Sequence, residues 1–538
     1  MPEVDVLVVG AGPVGLAAAH ELVRRGVRVR LVDKADGPAA TSRASATHAR
    51  TLELYHQMGV LDEILPRGIR AGSFSIHRNG RRLIRFGTDY TELPTRFPFT
   101  LQVDQAITEE VLRDSLLRYG VKVEWGIELD RLEQHPGHAD AVLRTADGRT
   151  DTVSVPWLVG TDGAHSTVRK ELDLRLLGDS SERWSIADAV IDVDLPKDGL
   201  HLMHTPKGAI LLVPFPARGK WRLLDTTAEA HDANADPDAV AARFSVLIGQ
   251  ALGRPAKVER PTWVSVFTIQ QRMIQQMRVG RCFLAGDAAH VHSPASGQGM
   301  NTGIQDAVNL AWKLADVVRG YADEKLLDSY SVERVPVGEA LLGSTKKATA
   351  LIALRNALAP LLLPVGLGLL NLLKPAKRKA ERKMMKTISA LGLNYRDSPL
   401  NRSASGSLEG IRPGHRVGCT EEAEKSSAGW RALCSEELVD PRWTLLLFGG
   451  DRSLAEHAVR RYGAAVSVRA VSASPDSPYA LADPDGRLAS EIGARPGDYV
   501  LIRPDAYLAG KGPVTGTAGL DAVLNGVHLH SQPAAAGR

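Results

Sequence analysis

Cysteine is scarce: Cys282, Cys419 and Cys434 are the only three in 538 residues, and no C-x-x-C occurs. That excludes a disulfide-built fold, a thiol redox pair and a cysteine-ligated zinc site. It suits a reducing cytosol, so a cytoplasmic location without a bound metal is expected. Charge of one sign is also lacking. A net +4 over this length, with no basic block interleaved with aromatics, leaves no nucleic-acid footprint. No charged and then apolar leader precedes the first strand, so no signal peptide is expected. The most apolar stretch, 351–373, is broken by Arg355, Asn356, Pro360 and Pro364 and offers no uninterrupted span. Lys374, Lys377, Arg378, Lys379, Arg382 and Lys383 follow it. An apolar segment joined to a basic helix suits a membrane surface. A helical hairpin covering a hydrophobic pocket is the favoured expectation, and membrane binding the disfavoured one.

What is present begins at once. Val4–Val9 is an apolar, β-branched run that reads as a buried parallel strand, and Gly10-Ala11-Gly12-Pro13-Val14-Gly15 follows it directly. Leu16–Val23 then reads as a helix ended by Gly26, and Val27–Val32 as a second strand closing at Asp33. This is G-x-G-x-x-G between a strand and a helix, with an acid ending the next strand. Gly10 permits the tight turn, Gly12 lets a pyrophosphate approach the backbone, and Gly15 lets the helix pack on the strand. The helix N-terminus offers free N–H groups to the phosphate, and Asp33 can accept hydrogen bonds from ribose hydroxyls.

Two further strands end in acid and glycine: Trp157–Gly160, leading to Asp162-Gly163, and Arg281–Ala285, leading to Gly286-Asp287. Each carboxylate lies just past a strand's C-terminal end, where ligands bind in open α/β sheets. Ser166 is placed to cap the helix carrying Val168, Arg169 and Leu172. Between these pieces, Phe74–Phe86 predicts a hairpin at Asn79-Gly80, and a helix opens at Gln105. From Leu176 to Ile269 the pattern changes to alternating strands around a helix at Asp238–Leu252, as in an inserted substrate domain. The small-residue loop Pro294–Asn301 precedes a helix whose apolar face holds Ile304, Ala307, Val308, Ala311, Leu314, Ala315 and Val318. Ser398–Ser407 reads as a linker. Thereafter strands at Thr444–Phe448, Ala465–Ala470 and Tyr499–Ile502, with helices at Leu454–Tyr462 and Gly519–Leu524, make a small α/β domain.

With these motifs the sequence resembles the class A flavoprotein monooxygenases, the para-hydroxybenzoate hydroxylase-like enzymes, and within them the phenol and aromatic polyketide hydroxylases. The resemblance rests on Gly10–Leu16, Gly160–Arg169, Gly286–His290 and Gly297–Asn301. It implies an α/β fold: a Rossmann-type FAD-binding domain (1–175 and 270–345), an inserted antiparallel-sheet substrate domain (176–269), a helical hairpin and linker (346–400), and a thioredoxin-like C-terminal domain (408–538). Lacking C-x-x-C, that last domain is expected to serve packing or a homodimer contact. Carried over by residue, Gly10, Gly12, Pro13, Val14 and Gly15 cradle the FAD pyrophosphate, and Asp33 the adenosine ribose, where relatives carry Glu. Arg43 and Gln105 contact FAD, Gln102 being a rival in the wrong frame. Asp162 supports FAD and the passing nicotinamide, and Asp287 the ribityl hydroxyls. Pro294, Gly297, Gly299, Met300 and Asn301 lie against the isoalloxazine, with Pro294 and Gly297 nearest the reacting ring. The helix after them points its N-terminal dipole at the flavin N1/C2=O edge, and His290 braces the loop.

The implied reaction is reduction of FAD by NADPH or NADH, addition of O2 at the flavin C4a position to give a hydroperoxide, and oxygen transfer to an electron-rich aromatic substrate, phenolic or polycyclic. With one G-x-G-x-x-G, no separate nicotinamide domain is expected; Lys34 and Arg43 are candidate 2′-phosphate partners. Baeyer–Villiger insertion, epoxidation and oxidative rearrangement share this scaffold, and a redox-inactive flavin-binding protein is the remote alternative. A flavin halogenase would carry W-x-W-x-I-P, which is missing. No catalytic base is assigned: His201, His204, Arg272 and Tyr395 are polar groups near the substrate region. Leu200, Leu202, Met203, Leu211, Leu212, Phe215, Phe267 and Met273 suggest either an apolar pocket or ordinary sheet packing.

Overall fold

A computed structural model describes residues 3–39, 44–87, 91–205, 208–227, 236–293, 297–353, 359–403, 409–473 and 478–531. Its organising layer is a six-stranded sheet in the order Arg278–Val279, Cys282–Leu284, Trp157–Gly160, Val6–Val9, Val29–Asp33, Val123–Trp125. All neighbours pair parallel except the first two. Val6 to Val9 are buried throughout, as an apolar run covered on both faces must be. The Pro13–Val23 and Gly299–Val318 helices pack on each other over this sheet. An antiparallel meander, Ile127–Gln134, Ala139–Thr145 and Thr150–Val155, closes its far side.

The second sheet runs in the order His290–Val291, Trp263–Met273, Leu177–Asp192, Lys220–Asp225, Gly208–Pro214, Gly199–Thr205, Ser73–Arg78, Arg81–Gly87, with Lys257–Val258 paired to the third of these. It therefore draws strands from outside 176–269. The Asn79-Gly80 hairpin joins one edge, both turn residues having positive φ (47° and 76°), the signature of its tight turn. The opposite edge is His290–Val291. The longest strand of this sheet, Leu177–Asp192, opens the alternating region expected from Leu176 and is sixteen residues long.

Period-2 alternation gives this sheet two apolar faces. Ala187, Ala189, Met203, Ile210, Leu212 and Trp221 lie under the Pro237–Leu252 helix with Phe244 and Ile248. Trp184, Ile186, Leu202, Leu211, Val213 and Ile269 form the other face, with Phe74, Phe86, Trp263 and Phe267, and receive Leu367 and Leu370 from the Ala359–Leu372 helix. The apolar surplus of the sequence is thus divided between two faces, with Met203 and Leu212 on the helix side.

Residues after 398 build a mixed six-stranded sheet, with Trp443–Phe448 parallel to Val466–Ser472 and antiparallel to Asp498–Ile502, as in a thioredoxin-like domain. Arg402–Ser403, inside the expected linker, adds an edge strand to it. Cys419 and Cys434 are buried thiols whose sulfurs lie 3.6 Å apart, a proximity their spacing did not announce.

Candidate functional site

The strand ends Val9, Asp33 and Thr161 converge on a cavity of about 230 Å³, which Gly10, Gly12, Lys34, Asp162 and Gly163 also line. Three glycines shape it, for different reasons. Gly10 has φ +101°, and a Cβ there would lie 2.5 Å from the Thr161 carbonyl oxygen. A Cβ on Gly15 would lie 1.9 Å from the Gly10 carbonyl oxygen, so glycine lets the helix seat on the turn. At Gly12 nothing comes within 4 Å. Thr161 Oγ1 donates to the Val9 and Gly10 carbonyls at 2.9 and 2.8 Å, stitching the strand ends together. Gly12 stands as N-cap of the Pro13–Val23 helix without a capping side chain, so the first-turn N–H groups face the open side of Gly12 uncapped.

Asp33 braces this turn: Oδ2 accepts the Ala11 N–H at 2.6 Å and Oδ1 the Ala35 N–H at 2.8 Å. Lys34 sits on the rim with its Nζ 3.9 Å from Glu128. Asp162 is more enclosed. Its carboxylate accepts from Ser166 Oγ at 2.5 Å and from the Thr167 and Val168 N–H groups at 2.7 and 3.1 Å. Burial raises its pKa, against the pull of those hydrogen bonds. The expected cap is present, Ser166 Oγ accepting the Arg169 N–H. Sequence reasoning did not anticipate Ile127, Glu128 and Leu129 of the meander as cavity lining, and no local motif marks them; His165 and Thr167, also lining it, lie within the Gly160–Arg169 motif, which gives them no role of their own.

Asp287 is exposed between buried Gly286 and Ala288. Gly286 has φ +62°, and its Cβ would lie 2.9 Å from Val14 Cγ2, so this turn rides on the start of the Pro13–Val23 helix. Arg43 and Pro294 lie outside the described residues. The expected loop is shorter than 294–301: the helix begins at Gly299, so Gly299, Met300 and Asn301 form its first turn. This is a correction with a plain cause, since glycine weakens but does not forbid a helical start. Its N-cap, Gln298, makes no capping bond, and a Cβ on Gly299 would meet nothing within 4 Å. Gly297 has φ +62°. Met300 packs into the main core. Asn301 is a staple: Oδ1 accepts the His48 N–H at 2.9 Å, and Nδ2 donates to the Ala46 and Gly297 carbonyls at 2.8 Å each. Gln105 Oε1 accepts the Ala44 N–H at 3.2 Å while Nε2 donates to Glu109 at 2.7 Å; Gln102 is buried in a strand.

Behind the loop lies a buried polar chain. His290 Nε2 is 2.6 Å from Asp306 Oδ2, which also accepts the Gly286 N–H at 3.1 Å. Arg334 Nε donates to Asp306 Oδ1 at 2.6 Å, and its Nη1 reaches Tyr395 Oη at 3.0 Å. Burial alone would raise the Asp306 pKa, but Arg334 and His290 outweigh it and hold the carboxyl at about 2. His290 thus braces the turn through Asp306, and Tyr395 belongs to this interior chain. His201 is interior too, bonded to His77 at 3.1 Å and to the Pro196 carbonyl at 2.8 Å on the helix-covered face. His204 shares the alternate face with Leu202; burial lowers its pKa.

Residues 3–345 match the family described as FAD binding domain. The chain belongs to the class A FAD-dependent aromatic monooxygenases. It is 54% identical to the 6-methylpretetramide 4-monooxygenase of Streptomyces rimosus, over all of this chain and 96% of that one. It is 31% identical to the 12-dehydrotetracycline 5-monooxygenase/anhydrotetracycline 6-monooxygenase of Streptomyces rimosus subsp. rimosus, covering 97% of this chain and 98% of the relative. Among solved structures, the OxyS anhydrotetracycline hydroxylase from Streptomyces rimosus superposes with a TM-score of 0.75 at 28% identity, covering 99% and 100% of the two chains. A ternary complex of aklavinone-11 hydroxylase with FAD and aklavinone gives 0.76 at 25% identity, covering 98% and 99%.

FAD fits what this monooxygenase offers. The space over Gly12 is empty beside an uncapped helix N-terminus, and the Asp33 carboxylate stands at the end of the neighbouring strand. A second uncapped helix start, at Gly299, lies beyond the Asp287 turn.

Proposed function

We propose that this FAD-dependent enzyme hydroxylates a phenolic ring of a tetracyclic, pretetramide-type polyketide, with NADPH as the preferred reductant. The observation that carries the reading is the continuity of the substrate sheet with the flavin loop. His290–Val291 is at once the edge strand of that sheet and the lead-in to residues 294–298. A substrate on the aromatic-rich face thereby shares its sheet with the strand that leads toward the Gly299–Val318 helix.

When bound and reduced, FAD supplies the activated oxygen atom; the other atom of O2 leaves as water. The chain's own work is binding and exclusion. The Gly10–Gly15 turn takes the pyrophosphate, Asp33 the adenosine ribose and Asp287 the ribityl hydroxyls. Lys34 and Arg43 meet the passing nicotinamide cofactor beside Asp162. The uncapped Gly299 helix start favours negative charge on the flavin edge nearest it. Phe74, Phe86, Trp184, Trp263 and Phe267 suit a flat polycycle. Asp188 and Arg222 form a buried ion pair on the same face at 2.8 Å, a charged end to an otherwise apolar surface. His204 is held neutral by burial and has Nδ1 without a hydrogen-bond partner among the described residues, which suits it to meet a phenolic hydroxyl. Buried thiols at Cys282, Cys419 and Cys434 support a cytoplasmic setting.

The test is turnover of the FAD-loaded enzyme with NADPH and isotopically labelled dioxygen on a panel of tetracyclic phenols. Substrate-stimulated NADPH oxidation and one labelled hydroxyl oxygen in the product are expected. A ring-expanded lactone would replace hydroxylation by Baeyer–Villiger insertion. His204→Ala should raise KM roughly three- to tenfold, the worth of one hydrogen bond; an unchanged KM removes His204 from the substrate site.

A further inference from the structure

Nine large hydrophobic side chains are exposed among the described residues, and four of them, Val365, Leu369, Leu372 and Leu373, stand together at the end of one helix. Their spacing, i, i+4, i+7 and i+8, is one helical face. Val365 is 70% and Leu372 80% exposed. The helix is not loose: its opposite side seats Leu367 and Leu370 on the aromatic-rich face of the substrate sheet. It covers the sheet, as the sequence suggested, and presents a second apolar face outward.

The Lys374–Ile388 helix continues directly from it and is equally two-sided. Its inner positions, Lys377, Glu381, Met384, Met385 and Ile388, are buried or half-buried. Its outer positions, Lys374, Arg378, Lys379, Arg382, Lys383 and Lys386, are exposed cations. The one acid on this helix, Glu381, is turned inward, bonded to the Gly87 N–H at 2.9 Å and 3.9 Å from Lys377. From the neighbouring segment, Glu92 pairs with Arg382. Lys374, Arg378, Lys379, Lys383 and Lys386 have no ion pair among the described residues.

We propose that these two helices form a docking face for an anionic phospholipid surface. Val365, Leu369, Leu372 and Leu373 enter the interfacial region, and the outer cations of the basic helix meet the headgroups. Charge selects the occupant. A second copy of this chain on the same face would bring two stripes of uncompensated cations together, whereas an anionic bilayer neutralises them and accepts the apolar side chains. The disfavoured reading of the sequence is recovered by burial, because cover and docking use opposite sides of one helix. The face lies over the substrate sheet, so docking brings the sheet's cover to the phase into which a polycyclic aromatic partitions. That last link rests on the function proposed above; binding to lipid does not.

The experiment is co-sedimentation of the full-length, FAD-loaded enzyme with vesicles, without substrate. Phosphatidylglycerol–phosphatidylcholine vesicles are compared with pure phosphatidylcholine, at low and high salt. The wild type is expected to sediment with anionic vesicles at low salt and to be released as salt rises. Arg378→Glu with Lys379→Glu should lower partitioning at least about fivefold per position. Leu369→Glu with Leu372→Glu should abolish it, FAD content and turnover of a water-soluble phenol being unchanged. Equal or absent sedimentation with both vesicle types overturns the proposal. So does a wild-type dimer that the leucine variant converts to monomer, which would give the face to a second copy. Failure to find a polycyclic substrate, with vesicle binding intact, would count only against the functional reading.

Discussion

A methyl group at position 12 and one at position 15 meet opposite surroundings. At Gly15 it would collide with the Gly10 carbonyl oxygen, whereas at Gly12, in ordinary extended backbone with φ −70°, it would project into empty space. Two glycines of one motif therefore differ in kind: the fold requires one, and the other leaves space open. Gly12→Val should leave the unfolding midpoint within a few degrees of wild type and weaken FAD retention at least about a hundredfold, because the isopropyl group takes the phosphate's place. Flavin absorbance after gel filtration measures it; a yellow, stable variant would refute the cradle. Gly15→Ala should instead fail to fold.

Among the helices, Gly299–Val318 is where the amphipathic pattern says least. Its expected apolar face is buried except for half-buried Val318, but so is the rest: Met300 to Asp316 are all buried. The hidden feature is a polar stripe, Asp306, Asn309, Lys313 and Asp316, on the side facing the Ser329–Ala353 helix and the C-terminal domain. Asn309 and Lys313 bond Glu333 at 2.8 Å each, and Asp316 accepts from Trp443 Nε1 at 2.9 Å. Burial pushes Asp316 up to about 7, only partly offset by Trp443. A carboxyl raised in the folded state favours folding when protonated, so its ionisation in the unfolded chain erodes stability as pH rises from about 4 to 7. Asp316→Asn keeps an acceptor for Trp443 and cannot ionise. It should stabilise by up to about 4 kcal/mol at pH 8 and by nothing at pH 4, read from denaturant midpoints; an equal effect at both would show that the charge is compensated.

At the scale of the whole molecule, the C-terminal domain is a structural partner of the flavin half. Trp312 meets Trp443 edge to face at 5.2 Å, within a core to which both halves contribute. Arg503 donates to Glu333 at 2.7 and 2.9 Å and to Asp505 at 2.9 and 2.6 Å, all fully enclosed. Arg503→Met should destabilise by about 3–5 kcal/mol by removing the ion pair of Asp505 and leaving Glu333 with Lys313 as its only cation among the described residues, and a thermal scan of the FAD-loaded variant should show the loss. A midpoint within a degree of wild type would mean that the domain docks through its apolar core alone.

The chain alone determined the Gly10–Gly15 turn, the three strand-end acids, the Asn79-Gly80 hairpin, the Ser166 cap and the order of elements, because each is written in neighbouring residues: a glycine at a forbidden dihedral, a capping hydroxyl, a period of two or 3.6. It concealed the Ile127–Gln134 strand, whose Glu128, Asp130, Arg131 and Glu133 disguise the alternation. It also concealed the recruitment of Ser73–Gly87 and His290–Val291 into the substrate sheet: the first pairs with a strand more than a hundred residues away, and the second is a two-residue edge too short to show a period. Only the tertiary structure decided which charges are buried and with whom, that Cys419 meets Cys434, and that the apolar helix at 359–372 has one covered and one open face. The cost of burying a charge, or of exposing a leucine, depends on what stands opposite it, and that is settled only when distant segments come together.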